Sequence, residues 1–463
     1  NFDTHNNKIY ASRIDPSEGR QIPDVDPNEP FEHVQVQIAD NMQGFVKDFS
    51  GNTGNPGQIM KCYTPQSLPF INYLAKRYAV SDAYFSSIPT QTNCNRAFSL
   101  TGNSIGYYYD VSDTKVAMVD NYWTYVDGGP GMPYEFTEKT VWNVLSDNGH
   151  DSPDKDWAVF YSQTWPGLSH YQGDYCFTQD LLWPNLKHKK AHFKDISHFW
   201  TLAGKGKLPK FSYLEPIWYE KEGRFGHTGT DYHPPQNVSA SESFLAEIYH
   251  TLKRSPKWKN TLLIVNFDEH GGTYDHVEPP VTIAPWENPG DGTSRPKLSP
   301  KHPFEFKKLG VRVPLILVSP LIEPRTVFRP EGSDVFDHTS VIATILNYFD
   351  IPRKQWGLGS RTANAATFEN VIKDPRAVVR DATDGEALED LPVTEAQGGE
   401  SEKLANDLHV MIGRRFVWRK ARENNFSQED LYEIFKKCFS DIRTMDELDN
   451  AIGAALKHVV KKP

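Results

Sequence analysis

Short apolar stretches alternate with helical ones through the middle of the chain, and this alternation limits the fold more than any other feature. DWAVFY (156–161), KFSYLEPIW (210–218), NTLLIVNF (260–267) and VRVPLILVSP (311–320) have the length of strands. SASESFLAEIYHTLKRS (239–255) and HTSVIATILNYF (338–349) repeat apolar residues at helical spacing. Strands interleaved with helices predict an α/β chain whose central, mostly parallel sheet is sandwiched between helices. Ligands in such sheets gather beyond the carboxyl ends of the strands.

The strand-like run TLLIV leads into NFDEHGGTYDH (266–276), which crowds carboxylates and imidazoles around two glycines. Asp268 and Glu269 are adjacent anions at a sheet edge, and keeping both ionised away from water is unfavourable unless a cation compensates them. A divalent metal is the simplest compensation; a polar strand-end turn is the alternative. GHTGTDYHPPQNVSASESF (226–244) sets Asp231 and His233 on a proline-containing loop ahead of a helix. SSIPTQTNCNR (86–96) gathers the hydroxyls of Ser87, Thr90 and Thr92 with Asn95 and Arg96. A guanidinium there offers a fork for phosphate oxygens, and a threonine hydroxyl beside a metal is a potential nucleophile. The plain alternative for this loop is local backbone hydrogen bonding.

The first 60 residues, rich in Asn, Asp, Pro and Gly, read as surface loops around one short helix. Residues 1–370 are expected to form one catalytic domain, 371–400 an acidic linker, and 401–463 a C-terminal helical extension. A net charge of -10 opposes phosphate-backbone binding, so no nucleic acid partner is expected. No apolar run approaches the roughly eighteen residues of a transmembrane segment. Four widely spaced cysteines form no zinc-binding or disulfide pattern.

Together these segments resemble the phosphoesterase superfamily of bacterial acid phosphatases and phospholipases C. SIPTQTNCNR matches its Ser-x-Pro-x-x-Thr-x-x-Asn-Arg loop, DYHPPQNVSASESFLAEIY its His-Pro loop and helix, and WKNTLLIVNFDEHGGTYDHVEPP its metal-binding strand end. RVPLILVSP and DHTSVIATIL follow in order. The resemblance implies an alkaline-phosphatase-like core and a divalent metal ion, whether calcium, magnesium or zinc, held by Asp268, Glu269 and Thr92. It also implies Thr92 as nucleophile through a phospho-enzyme, Asn95 and Arg96 on the phosphate, and His233 on the phosphate or the leaving group. His33 and His170 fall where the family has phosphate-facing histidines, and His338 is expected to begin a helix and brace the site. The implied substrate is a phosphate ester or phospholipid, with phospholipase C ahead of acid phosphatase and a non-catalytic anion-binding homologue as the third reading. Secretion or a periplasmic location is implied as well. The family's Glu-Asn-Arg-Ser-Phe-Asp segment, whose Glu and Asn complete the metal shell, has no counterpart in residues 1–463 and is expected upstream of Asn1.

Overall fold

The computed structural model describes residues 1, 7–53, 55–107, 115–121, 134–162, 175–218, 229–299, 301–332, 334–372 and 405–460. Trp157–Tyr161 is buried at every position, as expected of a strand covered on both faces. It lies between Phe211–Leu214 and Phe193–Asp195, parallel to both. A second sheet runs in the order Leu263–Asn266, Leu315–Val318, Ala79–Ser81, Thr326–Phe328, with the first two pairings antiparallel and the third parallel.

The architecture is thus mixed α/β, and the described strands fall into several small sheets instead of one central parallel sheet. Apolar runs of four or five residues look alike in parallel and antiparallel neighbourhoods, so the sequence could not separate the two. Leu263–Asn266 is the edge strand of its sheet and only half-buried; the buried group is the carboxylate beyond its end.

Helix Ser239–Arg254 packs Phe244, Ile248 and Tyr249 onto helix Pro69–Arg77 and the inner face of the second sheet. Helix His338–Tyr348 starts where Asp337 accepts the Thr339 N–H at 3.0 Å, and lies against helix Thr92–Thr101. The C-terminal helices Asp407–Glu423, Gln428–Cys438 and Met445–Val459 share the largest buried cluster: Leu408, Met411 and Phe416 join Tyr175, Phe177 and Trp218. Arg415, wholly buried, donates to Asp180 at 2.8 Å and to the Tyr134 carbonyl at 2.8 Å. Removing either partner of such a pair leaves a buried charge and costs about 3–5 kcal/mol, so it rivets this region to the rest.

Candidate functional site

Beyond Phe267 the chain turns on Gly271 and Gly272, whose φ angles are +60° and +66°. Space demands glycine as much as torsion does. A Cβ on Gly272 would lie 2.4 Å from Pro27 Cβ, and one on Gly271 2.9 Å from Pro234 Cδ. The two glycines therefore let the loops around residues 26–29 and 233–235 close on the strand end.

Three carboxylates converge there on one imidazole. His233 Nε2 lies 3.6 Å from Glu269 Oε1 and 3.8 Å from Glu29 Oε1, while Asp26 Oδ1 is 3.8 Å from Nδ1. These spacings exceed hydrogen bonds. Donor atoms of Asp26, Glu29 and His233 all lie within 4.8 Å of one another, and a set of oxygens and one imidazole nitrogen fits a divalent cation. Burial, then Asp268 and Asp26, push the Glu269 carboxyl well above its usual range, although its Oε2 accepts the Gly271 N–H at 2.6 Å. His233 Nδ1 stands 2.6 Å from the Pro234 carbonyl, a distance two electronegative atoms keep only with a proton between them. Nδ1 therefore donates, and Nε2 is the atom presented to Glu29 and Glu269.

A second layer holds the 26–29 loop. Gln37 donates to the Asn28 carbonyl at 2.6 Å and to Asp48 at 2.9 Å, and accepts from His270 Nε2 at 2.8 Å. Burial pushes His270 down to about 3, so it remains a neutral brace. His33 Nδ1 lies 2.7 Å from Asp48, the carboxylate that also accepts from Gln37.

The hydroxyl-rich loop enters from the other side. Ser87 donates its hydroxyl to Asp337 at 3.0 Å and its N–H to His338 Nδ1 at 3.3 Å; His338 Nε2 donates to the Phe267 carbonyl at 3.1 Å. His338 thus begins its helix and ties this loop to the strand end. Thr90 donates to Asp120 at 3.4 Å. Thr92, buried at the first position of helix Thr92–Thr101, makes no side-chain hydrogen bond among the described residues, and the positive end of the helix favours an anion beside it.

Asn95 spends its amide on the loop: it accepts the Ile88 N–H at 3.1 Å and donates to the carbonyls of Ile88 and Thr90 at 3.1 and 2.8 Å. Arg96 donates to Tyr213 at 3.1 Å and lies over the rings of Phe177 and Trp218, 5.3 and 5.0 Å away. Burial opposes its charge, but Tyr213, Asp268 and Glu215 outweigh burial and raise its proton affinity. Asp268 also acts on Asp231, whose carboxyl burial pushes up to about 7 and whose oxygens lack hydrogen-bond partners among the described residues. Arg96, Asp231 and Asp268 therefore share one electrostatic neighbourhood.

The structure brings His233 and Glu269 together, with Asp268 next to Glu269 in the chain, and Asp268 acts electrostatically on Arg96. His170 lies outside the described residues, as do most of the aromatic stretches GYYYD and DNYWTYVDGG considered for a choline cage. Sequence reasoning missed Asp26 and Glu29. The signal was present in DVDPNEP (24–30), where acids between prolines read as a solvated surface loop.

The Phosphoesterase family model matches residues 3–352. The chain belongs to this family. Among its relatives, non-specific phospholipase C6 of Arabidopsis thaliana is 33% identical over 365 residues, covering 75% of this chain and 61% of that protein. Non-specific phospholipase C1 of the same plant is 31% identical, covering 84% and 66%, and phospholipase C B of Mycobacterium tuberculosis is 26% identical, covering 73% and 63%. The chain thus spans a little under two thirds of the length of these relatives. The crystal structure of the lipoteichoic acid synthase LtaP from Listeria monocytogenes overlays 78% of this chain and 76% of its own at 14% identity, but a TM-score of 0.34 carries no argument about fold. No helix among the described residues is long and apolar enough to cross a membrane.

Proposed function

We propose that this chain is a metal-assisted phosphoric ester hydrolase of the phospholipase C type, built on an alkaline-phosphatase-like scaffold, with Thr92 as nucleophile. The observation that carries the reading is the convergence of Glu29, Glu269 and His233 Nε2 within 3.8 Å at a strand end that Asp268 also occupies. Asp268, Glu269 and Thr92 would hold a divalent cation, with Glu29 and Asp26 as further oxygen donors, and it would supply charge neutralisation and Lewis acidity toward phosphoryl oxygens.

The chain's own residues supply the rest. Thr92 Oγ1 releases its hydroxyl proton to solvent and forms a bond to phosphorus as the bond from phosphorus to the leaving alcohol breaks, giving a phosphothreonine that water then hydrolyses. Arg96, one helical turn on, holds phosphoryl oxygens, and its clamp of Tyr213, Phe177 and Trp218 keeps the guanidinium from wandering. His233 Nε2, which carries no proton in the Nδ1–H tautomer, takes one up from solvent and delivers it to the leaving oxygen. A second reading, in which His233 is itself a metal ligand, is supported by its grouping with Asp26 and Glu29. A phospholipid substrate is favoured over a phosphate monoester by the names of the relatives.

The experiment is turnover of phosphatidylcholine vesicles and of p-nitrophenyl phosphate, each with and without chelator. Release of phosphocholine and diacylglycerol that stops on chelation is the expected result. Turnover of the monoester alone would make the chain an acid phosphatase; turnover of neither would favour the anion-binding homologue.

A further inference from the structure

We infer that Asn406, in the C-terminal helical region, is a positioning residue for His233, which makes that region a working part of the site. The inference rests on the hydrolase reading for what His233 does, and on geometry alone for how its ring is held.

Asn406 is the N-cap of helix Asp407–Glu423: its Oδ1 accepts the His409 N–H at 2.9 Å. Its Nδ2 points the other way. It donates to the Pro234 carbonyl at 3.1 Å and stands 3.1 Å from His233 Nδ1. The same carbonyl takes the Nδ1 proton of His233. One amide therefore fixes the acceptor that fixes the ring tautomer, and the tautomer decides which nitrogen faces Glu29 and Glu269. Partners one step removed from a reacting or metal-binding imidazole typically change affinity or activity by about 10–100-fold when removed.

The rest of the helix's first turn repeats the pattern. His409 lies 3.0 Å from the Trp218 carbonyl and 3.1 Å from Gln236 Nε2, so it supports both the aromatic clamp on Arg96 and the loop that follows His233. Met411 Sδ receives the Asn93 amide at 3.6 Å, next to Thr92. Three segments that are distant in sequence, around Thr92, Trp218 and His233, meet on this one turn.

A helix cap explains only the Oδ1 bond, so the test must separate the cap from the amide. Asn406→Ser keeps a good N-cap but is too short to reach Pro234. Thr444→Ala is the control: it removes the cap of helix Met445–Val459, where Thr444 accepts the Glu447 N–H, and touches no site residue. For each variant of the chain, imidazole nitrogen NMR spectra of the metal-free protein would be recorded, with the His233 signal assigned through His233→Asn. Melting temperature and steady-state phosphatidylcholine hydrolysis would be measured alongside. Asn406→Ser should shift the His233 signals from a single Nδ1–H tautomer to a mixture and lower kcat about 10–100-fold with KM nearly unchanged. Thr444→Ala should lower the melting temperature while leaving the His233 signals and kcat at wild-type values. A His233 pattern in Asn406→Ser identical to wild type overturns the inference, whatever the activity. If the wild type hydrolyses nothing, the hydrolase reading falls and the ring spectra still decide the role of Asn406.

Discussion

Glu29 Oε1 and His233 Nε2 lie 3.8 Å apart, although their positions are separated by more than two hundred residues and neither sits in a regular element. Glu29 reaches this point because Gly272 lets the preceding proline approach, and because Gln37 holds the Asn28 carbonyl. Glu29→Gln keeps the shape and removes a charge. Affinity of the metal-free protein for calcium, magnesium or zinc should fall at least about tenfold by calorimetric titration. The melting temperature should hold or rise, because one carboxylate fewer faces Glu269 and Asp26.

Gly272→Ala tests the close approach itself. The new methyl would meet Pro27 at a distance no contact tolerates, at a φ of +66°. Chemical denaturation should show a loss of about 1–3 kcal/mol, and hydrolysis should fall together with metal affinity. Wild-type stability with an alanine here would mean that the loop is not held as described.

The parts of the candidate site that were legible lie where the sequence stacks its signals: Asp268 and Glu269 end an apolar run, and His233 precedes a helix. The rest was hidden for physical reasons. Asp26 and Glu29 have the composition of a solvated loop and become site residues only through a backbone approach that no local pattern encodes. His33, whose ring Asp48 orients, and Glu29, which faces His233, come from the same stretch of chain. Asn95 bonds the backbone of its own turn, a role that its residue type alone does not announce. In the fold, alternating strands and helices announced α/β, while antiparallel pairing of Leu263–Asn266 with Leu315–Val318 leaves no trace in apolar runs this short.

His233→Asn separates the two roles open to this imidazole. As a proton donor to the leaving oxygen, its loss should lower kcat by about 10²–10⁴ while the purified protein keeps its metal. Metal content falling in step with activity would make it a ligand instead. Elemental analysis beside steady-state kinetics decides between them.

Asp120, which accepts from Thr90 of the hydroxyl-rich loop, gives a stability signature. Burial pushes its carboxyl up to about 6 from the ordinary 3.8, against the Phe31 N–H that it accepts at 2.8 Å. The folded protein therefore holds this proton more tightly than the unfolded chain. The resulting stability is fully present below pH ~4 and is lost as pH rises through about 6. Asp120→Asn keeps the acceptor without the charge. It should match wild type near pH 4 and exceed it above pH 7 by on the order of 2–3 kcal/mol in urea denaturation. A constant difference across that window would contradict the burial argument.

The most direct test concerns the hydroxyl that attacks. Ser87 and Thr90 both donate to carboxylates, and Thr92 alone of the three stands at the helix's positive end with its Oγ1 uncommitted among the described residues. Wild type and Thr92→Val would be mixed with a slowly released phosphate ester, quenched in acid and digested, and the phosphorylated peptide mapped by mass spectrometry. The account predicts phosphate on Thr92 in the wild type, and in Thr92→Val no label with turnover reduced at least about a thousandfold. Phosphate on Thr90 or Ser87, or a Thr92→Val protein that turns over at the wild-type rate, would contradict it.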